Sequence, residues 1–261
     1  TEDTVTRTID GVTLQMTAAV GETDDQIFVW LPDVKALCCG DNFYACFPNL
    51  YAIRGSQYRD ISAWVDSLDV IRSYPIETLL PGHGKAIQGA EIVQETLKNY
   101  RDAIESVLLQ TLEGMNKGMT MEQLAELVKL PETLANLPYL GEHYGCVEWT
   151  VKSIFNAYAG WFDGNPTTLH PLTAAQNAAH TICMMGGTNA VLQEIQSAIA
   201  TGEYQWGMQL CDMVLNLPTV TDEEAVQAKQ YKAQCCLGMA PLETSSNGRH
   251  YYQMYAKELM K

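Results

Sequence analysis

Apolar positions change their period near residue 90. Before it, "TLQMTAAV", "QIFVWLP", "KALCCG" and "IETLLPG" are short β-rich runs that predict strands. Among them lies one helical stretch, "RDISAWVDSLDVIRSY", in which Ile61, Trp64, Val65, Leu68 and Ile71 recur at helical spacing. Asp10-Gly11 between two such runs is a hairpin signal. Strand and turn are read from Thr1 onward, so the chain is expected to start inside a domain. After residue 90 nearly every apolar position fits a helix, from "AEIVQETLKNYRDAIESVLLQTLEGMNKG" through "GCVEWTVKSIFNAYAGWF" to "TDEEAVQAKQYKAQCCLG". Thr120 with Gln123, and Thr221 with Glu224, have capping-box spacing. From about residue 187 the helices pair, with Ala198, Ala200, Gly202 and Gly207 where turns and crossings fall. This predicts a hairpin stack of the tetratricopeptide kind, an architecture used for interaction or dimerisation. The expected division is an α/β part, residues 1–90, and an all-helical part, residues 91–261.

Charge narrows the function classes. With 31 acidic against 16 basic residues the net charge is −15, and no basic run occurs, which excludes a nucleic-acid-binding surface. An anionic substrate stays open, because one Arg or a metal ion inside a cleft outweighs the overall field. The eight cysteines, at 38, 39, 46, 146, 183, 211, 235 and 236, include two adjacent pairs and no CxxC. They read as free thiols in a reducing setting, which favours the cytoplasm, with the periplasm as the alternative. Neither a signal peptide nor a membrane span is expected from the sequence.

Candidate chemistry begins at Pro81-Gly82-His83-Gly84, where a predicted strand ends and a helix-like segment follows. In α/β folds functional loops gather at the carboxyl ends of strands, and the flanking glycines permit a sharp turn beside the imidazole. Glu22 precedes one predicted strand and Asp41 follows another. Singly, such residues are more often solvated turn or loop groups. Together Glu22, Asp41 and His83 form a candidate ligand set for a divalent metal such as zinc.

These stretches resemble the alkyl sulfatase branch of the metallo-β-lactamase-fold hydrolases. In that family a loop glutamate lies nineteen residues before an acidic residue following a "KALC" strand, the separation of Glu22 and Asp41. "NLYAIRG", Asn49 to Gly55, is similar to the family's "NLYTLRG", and Arg59, Asp60 and Trp64 match its "RD...W". His83 matches its last metal histidine. In "VKSIFNAYAGWFDGNPTTLHPL", Tyr158, Gly160, Trp161, Asp163, Gly164, Asn165 and Pro166 keep the family pattern, and "GGTNAVLQEIQSAIATGEYQWGMQL" and "GRHYYQMYAKEL" resemble its later helices. The resemblance covers almost the whole chain.

It implies an α/β plus all-α fold: the second half of a metallo-β-lactamase-type αββα sandwich, then a helical-hairpin dimerisation domain. It also implies a zinc-dependent hydrolase of alkyl sulfate esters with two zinc ions in the complete enzyme, and a homodimer. Glu22, Asp41 and His83 are the implied metal ligands, and Arg54 and Asn49 the implied substrate contacts. A sulfate ester demands neutralised sulfate oxygens and a placed water, which suits zinc and the planar fork of Arg54.

Several departures stand beside the likeness. Asp41 replaces a family Glu, "ACFP" (Ala45 to Pro48) replaces its histidines, Trp149 stands where a histidine assists the leaving group, and a sterol-carrier-like tail is missing. The family's HxHxDH loop lies upstream of anything present. The chain alone is therefore expected to need an upstream N-terminal half to act. The alternatives are a non-catalytic dimerisation scaffold, or a metal-dependent hydrolase of a phosphate or acyl thioester.

Overall fold

The structure, a computed structural model, describes residues 4–261. They fall into two compact units, one ending at Asp163 and one running Gly164–Lys261. The first contains strands β1 (Thr4–Ile9), β2 (Val12–Ala18), β3 (Ile27–Leu31) and β4 (Ala36–Gly40), helix α1 (Ile61–Arg72), strands β5 (Thr78–Pro81) and β6 (Ile87–Gln88), and helices α2 (Ala90–Asn116), α3 (Met121–Leu127), α4 (Glu132–Ala135) and α5 (Val147–Ala159). The reading of strand from Thr1 falls, for residues 1–3, outside the described residues. The six strands form one sheet in sequence order. All neighbours are antiparallel except β4 and β5, which are parallel. A parallel pair needs a crossover, and α1 supplies it.

Local chemistry explains the joints. Asp10 (φ 49°) and Gly11 (φ 84°) both take the left-handed conformation that a two-residue hairpin turn requires, so Ile9 pairs with Val12. Asp60 caps α1, its Oδ1 accepting from the Ala63 amide at 2.9 Å. The chain after His83 departs from the helix-like reading: a turn leads into β6, where Ile87 pairs with Leu79, and α2 begins only after Gly89 (φ 102°).

Alternation along the strands divides the sheet into two faces. Phe28, Trp30, Leu37, Cys39 and Leu79 are buried in the core that also holds Ile61, Trp64, Leu68 and Ile71 of α1. The same core continues through Val93, Leu97, Tyr100 and Ile104 of α2 and Val151 and Ile154 of α5. The change from strand to helix thus comes at residue 90, while the first unit continues to Asp163 because α2 and α5 bury their apolar faces in the core of the sheet. On the other face, register aligns Val5, Met16, Val29, Cys38 and Leu80 in one row across five strands. All five are exposed or half-buried.

The second unit is helical: α6 (Ala174–Met184), α7 (Thr188–Thr201), α8 (Tyr204–Asn216), α9 (Asp222–Met239) and α10 (Ser246–Leu259). Short connections turn α7, α8 and α9 back on one another, and Gly202 (φ 82°) ends α7. Gly207 marks a close crossing, since a Cβ there would stand 2.7 Å from Cys235 Sγ. Both expected capping boxes are present, at Thr120 with Gln123 and at Thr221 with Glu224. Among the described residues no helix is long and apolar enough to cross a membrane.

Candidate active site

Because β4 and β5 are parallel neighbours, their carboxyl ends lie side by side, with Gly40 opposite Pro81. Asp41 and His83 emerge together there, and His83 Nδ1 lies 2.7 Å from Asp41 Oδ1. Gly82 explains the glycine before the histidine. Its amide donates to the Gly40 carbonyl at 2.8 Å, and a Cβ at this position would stand 2.6 Å from Asp41 Oδ1. The hydrogen bond and charge of Asp41 raise the pKa of His83, and the charge of Glu22 acts in the same direction. The ring itself is 78% exposed.

Glu22 sits in the loop between β2 and β3 and is held differently. Its carboxylate is only 11% exposed, and its Oε1 accepts from Arg59 Nη1 at 2.9 Å. The same nitrogen donates to the backbone oxygen of Asn49. The Asn49 amide in turn donates to Tyr44 Oη at 2.7 Å. Just before Glu22, Gly21 leaves room for Asn42, whose Oδ1 would stand 1.8 Å from a Cβ there. Asn42 Nδ2 donates to the Ala19 carbonyl at 3.0 Å. Burial together with the charge of Glu22 pushes the Cys46 thiol up to about 11.

A segment distant in sequence closes over the loop that follows Asp41. Phe47 donates from its amide to the Gly141 carbonyl at 2.9 Å. Gly145 lies so close that a Cβ would stand 2.0 Å from the Pro48 carbonyl oxygen. Tyr44 meets Tyr144 edge-to-face at 6.0 Å and Tyr100 at 6.3 Å.

The structure therefore brings Asp41 and His83 into contact and pairs Glu22 with Arg59. Asn49 is buried, with neither Nδ2 nor Oδ1 hydrogen-bonded. Arg54 is exposed, five residues further on in the same loop. Sequence reasoning matched Arg59 and Trp64 to a pattern without a role, and it missed Asn42, Tyr44 and Gly145. Only the "RD...W" spacing was a signal for any of them. Carboxylate oxygens and an imidazole nitrogen suit a zinc-type ion in kind. In number they fall short, since among the described residues no group of three or more His, Cys, Asp or Glu side chains is placed to hold a metal ion.

Residues 120–261 match the family described as alkyl sulfatase dimerisation. The chain belongs to that family. It is 36% identical over 259 residues to a linear primary-alkylsulfatase from a Pseudomonas strain, covering 98% of this chain and 48% of that protein. Against an (R)-specific secondary-alkylsulfatase from Pseudomonas sp. it is 33% identical over 227 residues, covering 85% and 34%. Among solved structures, the stereoselective inverting sec-alkylsulfatase Pisa1 from Pseudomonas sp. superposes with a TM-score of 0.91 at 28% identity, over 99% of this chain and 41% of that one. The chain thus spans about half the length of the first relative and less of the other two. The mixed sheet and the helices that follow it share the fold of that alkylsulfatase, and the dimerisation family matches the helical part as expected.

Proposed function

We propose that this chain carries one edge of the active site, and the dimerisation helices, of a hydrolase that cleaves alkyl sulfate esters to an alcohol and sulfate. The observation that carries the reading is the Asp41–His83 contact at the end of two parallel strands, with the charge of the Arg59-held Glu22 acting on the same ring, in a chain similar to alkylsulfatases over nearly all its length. Glu22, Asp41 and His83 would hold zinc, two ions in the complete protein, with the remaining ligands supplied by an HxHxDH segment outside these residues. The open row Val5, Met16, Val29, Cys38 and Leu80 supports a second layer of the sandwich from that same part. When bound, zinc supplies water activation and neutralisation of the sulfate oxygens.

The chain's own residues do the positioning. Arg59 fixes Glu22, and Asp41 engages Nδ1 of His83, leaving Nε2 as the other ring nitrogen. The loop tied down by Arg59 leads to Arg54, whose planar fork suits a sulfate. Two such sites per assembly follow if the helical region makes a homodimer, the arrangement the family's description supports.

One observation favours a scaffold instead: no three-ligand cluster forms among the described residues. Sulfate release from a medium-chain alkyl sulfate, with zinc present throughout, separates the two readings. The chain alone should show negligible release, and a polypeptide with the HxHxDH segment should restore it. No turnover by a folded, metal-loaded pair would favour the scaffold, and robust turnover by the chain alone would overturn the ligand count.

A further inference from the structure

We infer that Arg59 is a positioning residue of this site: its guanidinium locks the Glu22 carboxylate to the backbone of the Asn49 loop, so that Glu22 meets its ligand in one fixed orientation. The use of Glu22 rests on the hydrolase reading; the lock itself rests on geometry.

Four observations build the lock. Both side chains of the ion pair are nearly buried, 10% exposed for Arg59 and 11% for Glu22. Solvent-exposed pairs swing and contribute little, whereas a buried pair is held by its surroundings. Arg59 Nη1 reaches two acceptors on different loops, Glu22 Oε1 and the Asn49 carbonyl. The Asn49 peptide is gripped from its other side by Tyr44 Oη, and Gly145 abuts the Pro48 carbonyl immediately before it. Finally, Asp60 caps α1, which anchors the backbone next to Arg59.

The lock selects one oxygen. Oε1 is the oxygen that Arg59 engages. Asp41 contrasts with this, since its partner is the exposed ring of His83. A lysine in place of Arg59 would keep the charge but lose the planar fork. Partners that orient a metal ligand typically change metal affinity by about 10- to 100-fold when removed.

The test uses the whole 261-residue chain, as wild type, Arg59→Met, Arg59→Lys, Glu22→Gln and the Arg59→Met/Glu22→Gln double variant. Zinc alone is the probe, read by competition with a chromophoric chelator. Carbon-13 spectra of the Glu22 carboxyl and hydrogen exchange at the Asn49 amide are read in parallel. In folded Arg59→Met, zinc affinity should fall about 10-fold or more, the Glu22 signal should move to that of a mobile side chain, and Asn49 exchange should quicken. Arg59→Lys should recover part of each. The double variant should bind no more weakly than Glu22→Gln, because without its carboxylate Arg59 has nothing to orient. Unchanged zinc affinity with an unmoved Glu22 signal would overturn the inference. Should wild type bind no zinc, the metal reading fails, and the Glu22 and Asn49 signals still decide the lock. Should Arg59→Met not fold, the same signals in Arg59→Lys decide it.

Discussion

Trp64 Nε1 donates a hydrogen bond to the backbone carbonyl of Asn42 at 3.1 Å, joining the buried stripe of α1 to the loop that leaves β4. Trp64 is fully buried, so that carbonyl has its partner inside the core, one residue from Asp41. Trp64→Phe keeps much of the apolar bulk and strands the acceptor. The expected loss is about 1–3 kcal/mol for the unpaired group, read from urea unfolding with an unchanged m-value. A loss near zero would show that the carbonyl finds water instead.

Gly82→Ala tests the Asp41–His83 contact. The backbone of Gly82 does not take a left-handed conformation, so the new methyl is opposed by its contacts, foremost Asp41 Oδ1 at 2.6 Å and then the Gly40 carbonyl carbon and oxygen at 3.2 and 3.3 Å. The carboxylate must move, and the raised pKa of His83 should fall toward the ordinary histidine value. The sign follows from linkage: a raised folded pKa stabilises below the unfolded value, and that contribution is lost as pH rises through the folded one. Titration of the His83 ring signals by NMR in wild type and Gly82→Ala reads this directly. Identical midpoints would mean that Asp41 does not act on the ring.

The capping box of α9 gives a second pH dependence, in the opposite sense. Hydrogen bonds from the Thr221 backbone and side chain hold Glu224 below the usual carboxylate range. A depressed pKa stabilises above the unfolded value, and that contribution is lost as pH falls through the folded one. Thr221→Ala should cost about 1 kcal/mol at neutral pH, and the gap to wild type should narrow in acid. Thermal unfolding at both pH values checks this; a gap that widens in acid would contradict it.

Dimerisation is the fourth expectation. The second unit leaves Met184 88% exposed, and Tyr251, Met254 and Tyr255 of α10 half exposed. Apolar side chains gathered on one helix face commonly mark an interface. Sedimentation at micromolar concentration should show a dimer, and Met254→Glu with Tyr255→Glu should weaken it if α10 contributes. A monomer for wild type would remove the role proposed for this region.

Much of the architecture was legible from short-range chemistry. The Asp10-Gly11 hairpin, the α1 stripe and the boxes at Thr120 and Thr221 depend on residues within a few positions of one another, where backbone conformation and capping act. The two-residue strand β6 escaped because it is defined by its pairing with β5, and a run that short carries no period of its own. The extent of the first unit escaped because it depends on which core α2 and α5 enter, and amphipathic helices advertise a buried face without naming its partner.

The same division runs through the site. By itself the sequence determined the donor residues: a histidine between glycines at a strand end, and acids beside two other strands. It also determined their setting, through the strands that carry Asp41 and His83 and the turn glycines around them. Only the tertiary structure decided which of them meet. Asp41 and His83 touch because β4 and β5 are parallel neighbours, and Glu22 pairs with Arg59, 37 residues away in the chain. Contacts over such separations are set by how a closed core brings loops together and by the need to pair a charge once it is buried. Neither leaves a local mark in the amino-acid pattern.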